Sequence, residues 1–166
     1  MRSAKKNRKR TGKHSPVRKR FFDNRLCLCT YSDPIIIACP KCKQPGQLRL
    51  RKQEHEQRDW QARRFFGCEV CGHSFDWKPR QVIHGTDNWD KVLPLFLQIP
   101  CCGRNLWAFN EKHLGFIEDY ASAQIRERIG SANASLASRL PQWIKSAENR
   151  GTVLKAVRTL RRSLQT

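Results

Sequence analysis

Four cysteines in two closely spaced pairs are the residues of this chain best suited to chemistry. Cys39 and Cys42 stand two residues apart in "ACPKC", and Cys68 and Cys71 repeat that spacing in "GCEVC". One pair alone would fit half of a disulfide or a redox dithiol, but redox dithiols usually begin a helix within a βαβ unit, and neither pair does. Two such pairs on facing turns bring four sulfurs to a tetrahedron around Zn²⁺. The sequence therefore predicts one structural zinc site, closed to water, in Cys39, Cys42, Cys68 and Cys71.

The other four cysteines are less informative. Cys27 and Cys29 have a single residue between them, which makes a poor chelate, and Cys101 and Cys102 are adjacent, so both cannot easily reach one metal. Buried thiols that pack as small apolar residues are the favoured interpretation. A second zinc site, formed by these four cysteines or by some of them with His113, is the alternative.

No catalytic set emerges from the sequence. It has no Walker-type phosphate loop, no H-E-x-x-H and no Ser-His-Asp arrangement that spacing would nominate. The few acidic residues do not form the carboxylate cluster that a Mg²⁺-dependent nuclease needs. We therefore expect no enzymatic activity and no small-molecule substrate.

The net charge points to a polyanionic partner. The 166 residues include 33 Lys or Arg and 14 Asp or Glu, which gives a formal charge of +19. Four thiolates and one Zn²⁺ would lower it only to about +17. Nucleic-acid phosphate is the commonest partner for such an excess, so we expect DNA or RNA to bind.

Residues 1–25 are predicted to form a disordered basic tail. The first twenty contain ten Lys or Arg, no acid and almost nothing apolar, so they cannot build a core. Such an arm can lie along phosphates; a merely solvated tail, or a nuclear-import signal at "KKNRKR" in a eukaryotic source, are the alternatives. No membrane span or secretory signal is visible, so we expect a cytoplasmic, nucleoid-associated protein, or a nuclear one in a eukaryote.

The rest of the chain predicts an α+β fold in two parts. Residues 26–85 alternate short apolar runs with turn signals, including an expected turn at Pro45–Gly46, which is typical of a small antiparallel zinc ribbon. Residues 86–166 predict a small helical bundle. Its first helix would begin after the N-cap Asn110 and close at Gly130. A short second helix would start at Pro141, and a third after Gly151 with Thr152 as its N-cap. The predicted buried stripes are Leu114, Ile117, Ala121, Ile125 and Ile129, then Trp143 and Ile144, then Val153, Val157, Leu160 and Leu164.

Basic residues of the tail and the ribbon are the candidate nucleic-acid contacts. Aromatic residues at 65, 66, 75 and 77 interleave with them and could stack bases, although core packing is favoured for at least half of these rings. The predicted contacts are Arg8, Lys9, Arg10, Arg18, Lys19, Arg20, Arg49, Arg51, Arg63, Arg64, Lys78 and Arg80.

Two segments carry a resemblance to known proteins. Residues 39–83 resemble zinc ribbons of the transcription-factor-IIB type. The blocks "LWAFNEKHL" and "ASRLPQWIKSAENR" resemble the C-terminal part of a family of small bacterial zinc-ribbon proteins, sometimes labelled as related to the replication-restart helicase. This family has no assigned activity, so the resemblance implies an architecture and a structural junction at Cys102 and "LWAFN".

Three functions remain open at this point. The first is a zinc-ribbon protein that binds nucleic acid through its basic arm and ribbon face. The second is an adaptor subunit of a larger nucleic-acid-processing or ribonucleoprotein assembly. The third is a component of an enzyme whose chemistry lies in a partner.

Overall fold

The computed structural model describes residues 18–51, 62–78, 93–128 and 135–165. Within these ranges the protein has a mixed α/β fold with eight strands and four α-helices. None of these helices is long and apolar enough to cross a membrane. The strands are β1 (Arg20–Asp23), β2 (Ile35–Ala38), β3 (Pro45–Leu50), β4 (Arg64–Gly67), β5 (Ser74–Trp77), β6 (Gln98–Cys101), β7 (Arg104–Trp107) and β8 (Ile125–Arg128). The helices are α1 (Glu111–Ser122), α2 (Leu136–Arg139), α3 (Gln142–Lys145) and α4 (Arg150–Arg162).

Strands β2 to β5 form an antiparallel sheet in sequence order. Because successive side chains of a strand point to opposite faces, Leu48 and Phe66 are buried while their neighbours Arg49 and Phe65 are exposed. Pro45 and Gly46 lie inside β3 and not in the expected turn. A Cβ at Gly46 would come within 2.3 Å of the Phe66 ring, so this position has to lack a side chain.

The outer edge of β2 is covered by later parts of the chain. Ile37 forms a bridge with Leu95, and the Ala38 N–H donates to the Pro94 carbonyl over 2.9 Å. The Ile36 N–H donates to the Phe109 carbonyl over 2.7 Å. These contacts fix the sheet against the segment that leads into α1.

Residues 20–23 form strand β1 of the folded protein. The prediction of a disordered tail, which rests on charge, is therefore wrong for these four residues. Strand β1 pairs in parallel with β8, and Phe21 packs edge-on against Phe116 and Tyr120. The buried Asp23 accepts a 2.6 Å hydrogen bond from the Ser135 hydroxyl. The buried ring, the hydrogen-bonded carboxylate and the pairing with β8 together order this basic segment.

The C-terminal part confirms some of the helix predictions and corrects others. Asn110 caps α1 by accepting from the His113 N–H over 3.0 Å, as predicted. The helix ends at Ser122 and not at Gly130, and Ile125 belongs to β8. Four-residue α3 follows Pro141, and α4 begins at Arg150, slightly earlier than expected.

The predicted core positions of these helices are largely buried. Helices α1 and α4 pack together over a cluster that also contains β6, β7 and the ring of Phe21. Trp143 is only partly buried against this cluster. The buried members of the predicted stripes are Leu114, Ile117, Ala121, Ile144, Val153, Val157 and Leu160. Ile125 and Leu164 are only partly buried, and Ile129 lies outside the described residues.

Candidate metal centre and basic face

The two predicted cysteine pairs converge at one end of the sheet. The Sγ atoms of Cys39 and Cys71 are 3.7 Å apart, and those of Cys42 and Cys68 are 3.6 Å apart. All four sulfurs lie within 4.8 Å of one another, a geometry that could hold a metal ion. A tetrahedron with metal–sulfur bonds of about 2.3 Å has sulfur–sulfur edges of about 3.8 Å. The arrangement therefore fits a four-thiolate metal site.

Two backbone turns of the same design present the sulfurs. In the first, the Lys43 N–H donates to the Cys39 carbonyl over 2.9 Å; in the second, the Gly72 N–H donates to the Cys68 carbonyl over 3.0 Å. Lys43 has φ 64° and Gly72 has φ 68°, so both occupy the left-handed region that glycine tolerates best. The lysine of the first turn adopts the conformation that the glycine of the second adopts without strain.

Backbone hydrogen bonds and burial set the acidity of the first pair of thiols. Burial raises the pKa of Cys39, but N–H groups of Cys42 and Lys41 and the neighbouring sulfurs of Cys42 and Cys71 lower it to about 7. A backbone bond from Gln44 lowers the pKa of Cys42, but burial and the other three sulfurs raise it to about 12. Four thiols this close share their protons, and a bound cation is what allows all of them to ionise.

The remaining cysteines are arranged two by two. Cys27 and Cys29 are joined in a disulfide with a Cα–Cα distance of 5.2 Å. Cys27 is half-buried and Cys29 is exposed, because the turn Leu28–Tyr31 lies at the surface. The prediction of buried thiols is therefore wrong for this pair. Cys101 is buried, and burial beside Cys102 raises its pKa to about 11. Among the described residues, the side chains that converge as metal ligands are Cys39, Cys42, Cys68 and Cys71.

Exposed basic side chains collect on one side of the sheet, which we call the outer face. In register, Arg49 of β3 and Asp76 of β5 flank Phe65 of β4. Phe65 is 41% exposed, which is unusual for a ring at the centre of a sheet. The outer face consists of Gln47, Arg49, Arg51, Arg63, Phe65, Gly67, Ser74, Asp76 and Lys78.

Arg64 does not belong to this face, and its prediction as a nucleic-acid contact is wrong. Its side chain is only 2% exposed, because strand alternation turns it to the side of Leu48 and Phe66. The guanidinium donates to the Ser32 carbonyl over 2.7 Å and lies 3.9 Å from the Asp33 carboxylate. Arg64 therefore connects β4 to the turn at Ser32 and Asp33, which precedes β2.

The basic residues near the N-terminus have mixed placements. Arg18 is exposed, Lys19 forms a 3.0 Å ion pair with Asp119, and Arg20 is paired with Glu127. Lys19 and Arg20 thus help to attach β1 to α1 and β8. The predicted contacts Arg8, Lys9, Arg10 and Arg80 lie outside the described residues.

The aromatic residues of the sheet divide between core and surface. Phe66 is fully buried and stacks on Phe75 with 4.7 Å between ring centroids, and Trp77 is half-buried. Phe65 alone among these four is exposed. The sequence analysis did not single out Gly67, which lies beside Phe65 on the outer face. Because residues two apart on a strand share a face, the spacing of Phe65 and Gly67 could have indicated this.

Comparisons with known proteins do not test the resemblance drawn from the sequence. The resemblance to small bacterial zinc-ribbon proteins therefore stays a prediction. Scans of protein-family models, of curated proteins and of solved structures found no match to this chain.

Proposed function

We propose that this protein is a zinc-ribbon protein that binds nucleic acid and has no catalytic activity of its own. The observation that carries the proposal is the outer face, where exposed Arg49, Arg51, Arg63 and Lys78 surround an exposed Phe65. Cations around an aromatic ring are the surface that suits phosphates and bases together. The formal charge of +19 on the chain adds long-range attraction.

Zinc is the metal that best matches the four sulfurs. Thiolates are soft ligands, and a tetrahedral set of four is typical of Zn²⁺ or of iron–sulfur chemistry. Two Cys-x-x-Cys turns on antiparallel strands favour a single Zn²⁺ ion. With four protein ligands the shell is closed, so the metal holds the two turns together and leaves no position for a substrate.

Elemental analysis tests the metal. We expect one zinc per purified chain, and Cys68→Ser should lose it together with the order of the sheet, since metal binding contributes to folding of such small units. Cys102→Ser, outside the cluster, is the matched control and should keep its zinc. A purified wild-type chain without zinc would remove this part of the proposal.

Salt titrations test the nucleic-acid contacts. Each phosphate contact on duplex DNA contributes about −0.9 to the slope of log K against log salt. We expect Arg49→Gln to weaken binding, whereas Arg158→Gln should not, although Arg158 is also exposed, on α4. Equal effects of the two variants would show that charge alone, and not the outer face, drives binding.

The arm can be tested separately from the outer face. Deleting residues 1–17 removes seven Lys or Arg and leaves β1 intact. If the arm lies along phosphates, the salt slope should become flatter by about 0.9 for each lost contact. An unchanged slope would assign the segment to solubility or targeting.

A second candidate is an adaptor that docks on a larger assembly. Val70, at the tip of the second cysteine turn, is 65% exposed beside the exposed Glu69, which favours a protein contact there. Pull-down from native extract with and without nuclease separates the two roles. Partners that survive nuclease treatment and are lost in Val70→Asp would support the adaptor.

A further inference from the structure

The outer face contains a shallow concavity next to Phe65. Its volume is about 260 Å³, which is below the roughly 300–1,000 Å³ of sites for drug-sized ligands. Its lining on the sheet is Gln47, Arg49, Phe65, Gly67 and Ser74, and the second cysteine turn adds Cys68, the acidic Glu69, Gly72 and His73. A small open site with one aromatic wall and several polar groups suits a flat heteroaromatic ring.

The aromatic wall is held in place by an ion pair. The guanidinium carbon of Arg51 lies 5.4 Å from the centroid of the Phe65 ring, within the range of cation–π attraction. Arg51 is in turn fixed by Asp76, whose carboxylate accepts from its Nε over 2.9 Å. Arg51 therefore lies against the Phe65 ring and links it to Asp76.

Gly67 forms part of the floor of the concavity. Gly67 lies between Gln47 and Ser74 in register, in the centre of the outer face. A Cβ there would sit 3.6 Å from Cε1 of Phe65, in ordinary contact, and would fill the space beside the ring. The missing side chain thus leaves room for a planar group to lie against Phe65.

Polar groups at the rim complete the site. Gln47 accepts from Nε of Arg49 over 2.9 Å, which orients both side chains at its edge. The arginine offers further N–H donors to a phosphate or to base-edge acceptors, and the Gln47 amide N–H₂ can donate to them as well. The Phe65 ring could therefore contact the face of a base, while Arg49 and Gln47 donate hydrogen bonds to its edge.

We propose that this concavity binds one unpaired nucleobase of a single-stranded nucleic acid, stacked on Phe65 above Gly67. The inference rests on the proposed function and names its ligand. Bases within a duplex are stacked on their neighbours and cannot enter, whereas the bases of a single strand can be splayed onto an aromatic side chain. Preference for single strands over duplexes follows from the shape of the outer face.

Fluorescence anisotropy on the full-length, metal-loaded protein tests the proposal. The probes are an oligothymidylate of about 15 nucleotides, an abasic strand of the same length and a duplex of that length. Phe65→Ala should weaken binding to oligothymidylate by roughly 5- to 100-fold and leave abasic-strand binding within about twofold. Phe22→Ala, which removes a phenylalanine that is 55% exposed on β1, is the matched control and should change neither.

A second variant guards against misfolding as an explanation. Gly67→Val places a side chain in the concavity without removing a charge, and it should reproduce the loss on oligothymidylate while keeping zinc and abasic-strand binding. If the wild type binds all three probes and both variants match it, the base site is refuted while the proposed function stands. If the wild type binds none of the probes, the base site and the proposed function fail together.

Discussion

Lys43 and Gly72 occupy equivalent positions in the two cysteine turns, with φ of 64° and 68°. Each follows the first cysteine of its pair by four residues and donates its N–H to that cysteine's carbonyl. The two turns are therefore alike in backbone and differ in the side chain at the left-handed position. A non-glycine residue in this region costs about 1–2 kcal/mol, so the first turn stores strain that the second lacks.

Replacing Lys43 with glycine should relieve that strain. We expect Lys43→Gly to raise the free energy of unfolding by about 0.5–1 kcal/mol, since the relief is partly offset by the larger entropy of the unfolded glycine chain. The opposite substitution at the equivalent position of the second turn, Gly72→Lys, should lower the free energy of unfolding by about 1–2 kcal/mol. Urea unfolding of the metal-loaded proteins measures both. Identical midpoints for the two variants would contradict the assignment of strain to these positions.

Gly46 and Gly67 provide a second matched pair. Gly46→Ala would place a methyl group 2.3 Å from the buried Phe66 ring, and such overpacking typically costs about 1–3 kcal/mol. Gly67→Ala meets its nearest neighbour at 3.6 Å and should cost less than about 0.5 kcal/mol. Unfolding by urea measures the difference. A tolerated Gly46→Ala would mean that Phe66 can move aside, and the double variant Gly46→Ala/Phe66→Leu would then show no rescue.

Buried His113 should make stability depend on pH. Burial lowers its pKa from 6.5 to about 4, and its Nδ1 accepts from the Phe109 N–H over 3.3 Å. Between pH 6.5 and about pH 4, His113 is therefore protonated in the unfolded chain and neutral in the folded chain. The contribution of neutral His113 to the free energy of unfolding is complete above pH 6.5. It falls by about 1.4 kcal/mol per pH unit as the pH drops towards 4.

The variant His113→Gln separates this effect from loss of metal. Its four cysteines are unchanged, so acid release of the metal affects both chains alike. The wild type should lose up to about 3 kcal/mol more than the variant between pH 7 and pH 4. Chemical denaturation at several pH values measures the two slopes, and parallel slopes would show that folding does not lower the pKa of His113.

The C-terminal core should respond strongly to truncation. Ile144 is 4% exposed and packs in the cluster between α1 and α4, so Ile144→Ala should cost about 2–4 kcal/mol. Val70→Ala, at a position that is 65% exposed, should change stability by less than about 0.5 kcal/mol. Thermal or urea unfolding compares them, and equal stabilities would place Ile144 outside the core.

The convergence of the four cysteines could be predicted because its signal is local. A two-residue spacing within a turn fixes how two sulfurs can point, and two such turns define the site almost without reference to the rest of the chain. The start of α1 could be predicted for the same reason, since the Asn110 side chain caps the helix by accepting from the N–H of His113, three residues later.

The end of α1 depended on partners distant in sequence. Ile125 continues the helical spacing of Leu114, Ile117 and Ala121, yet it lies in β8, because pairing with Arg20–Asp23 outweighs the local periodicity. The same pairing orders β1, whose charge alone predicted disorder. The proposed base site includes Gly67, whose position beside Phe65 appears only when three strands are placed side by side.

The covered edge of β2 has a consequence for synthesis on the ribosome. All four cysteines of the candidate metal site are synthesised by residue 71, whereas the backbone partners of β2 at Pro94–Phe96 and Phe109 are synthesised later. In that interval β2 presents unpaired N–H and C=O groups on one side, the kind of edge on which nascent chains associate. A metal ion captured early would close the two turns while this edge is still open. If the site binds its metal at that stage, the supply of metal during translation would influence how much of the sheet is fixed before residues 94–109 arrive.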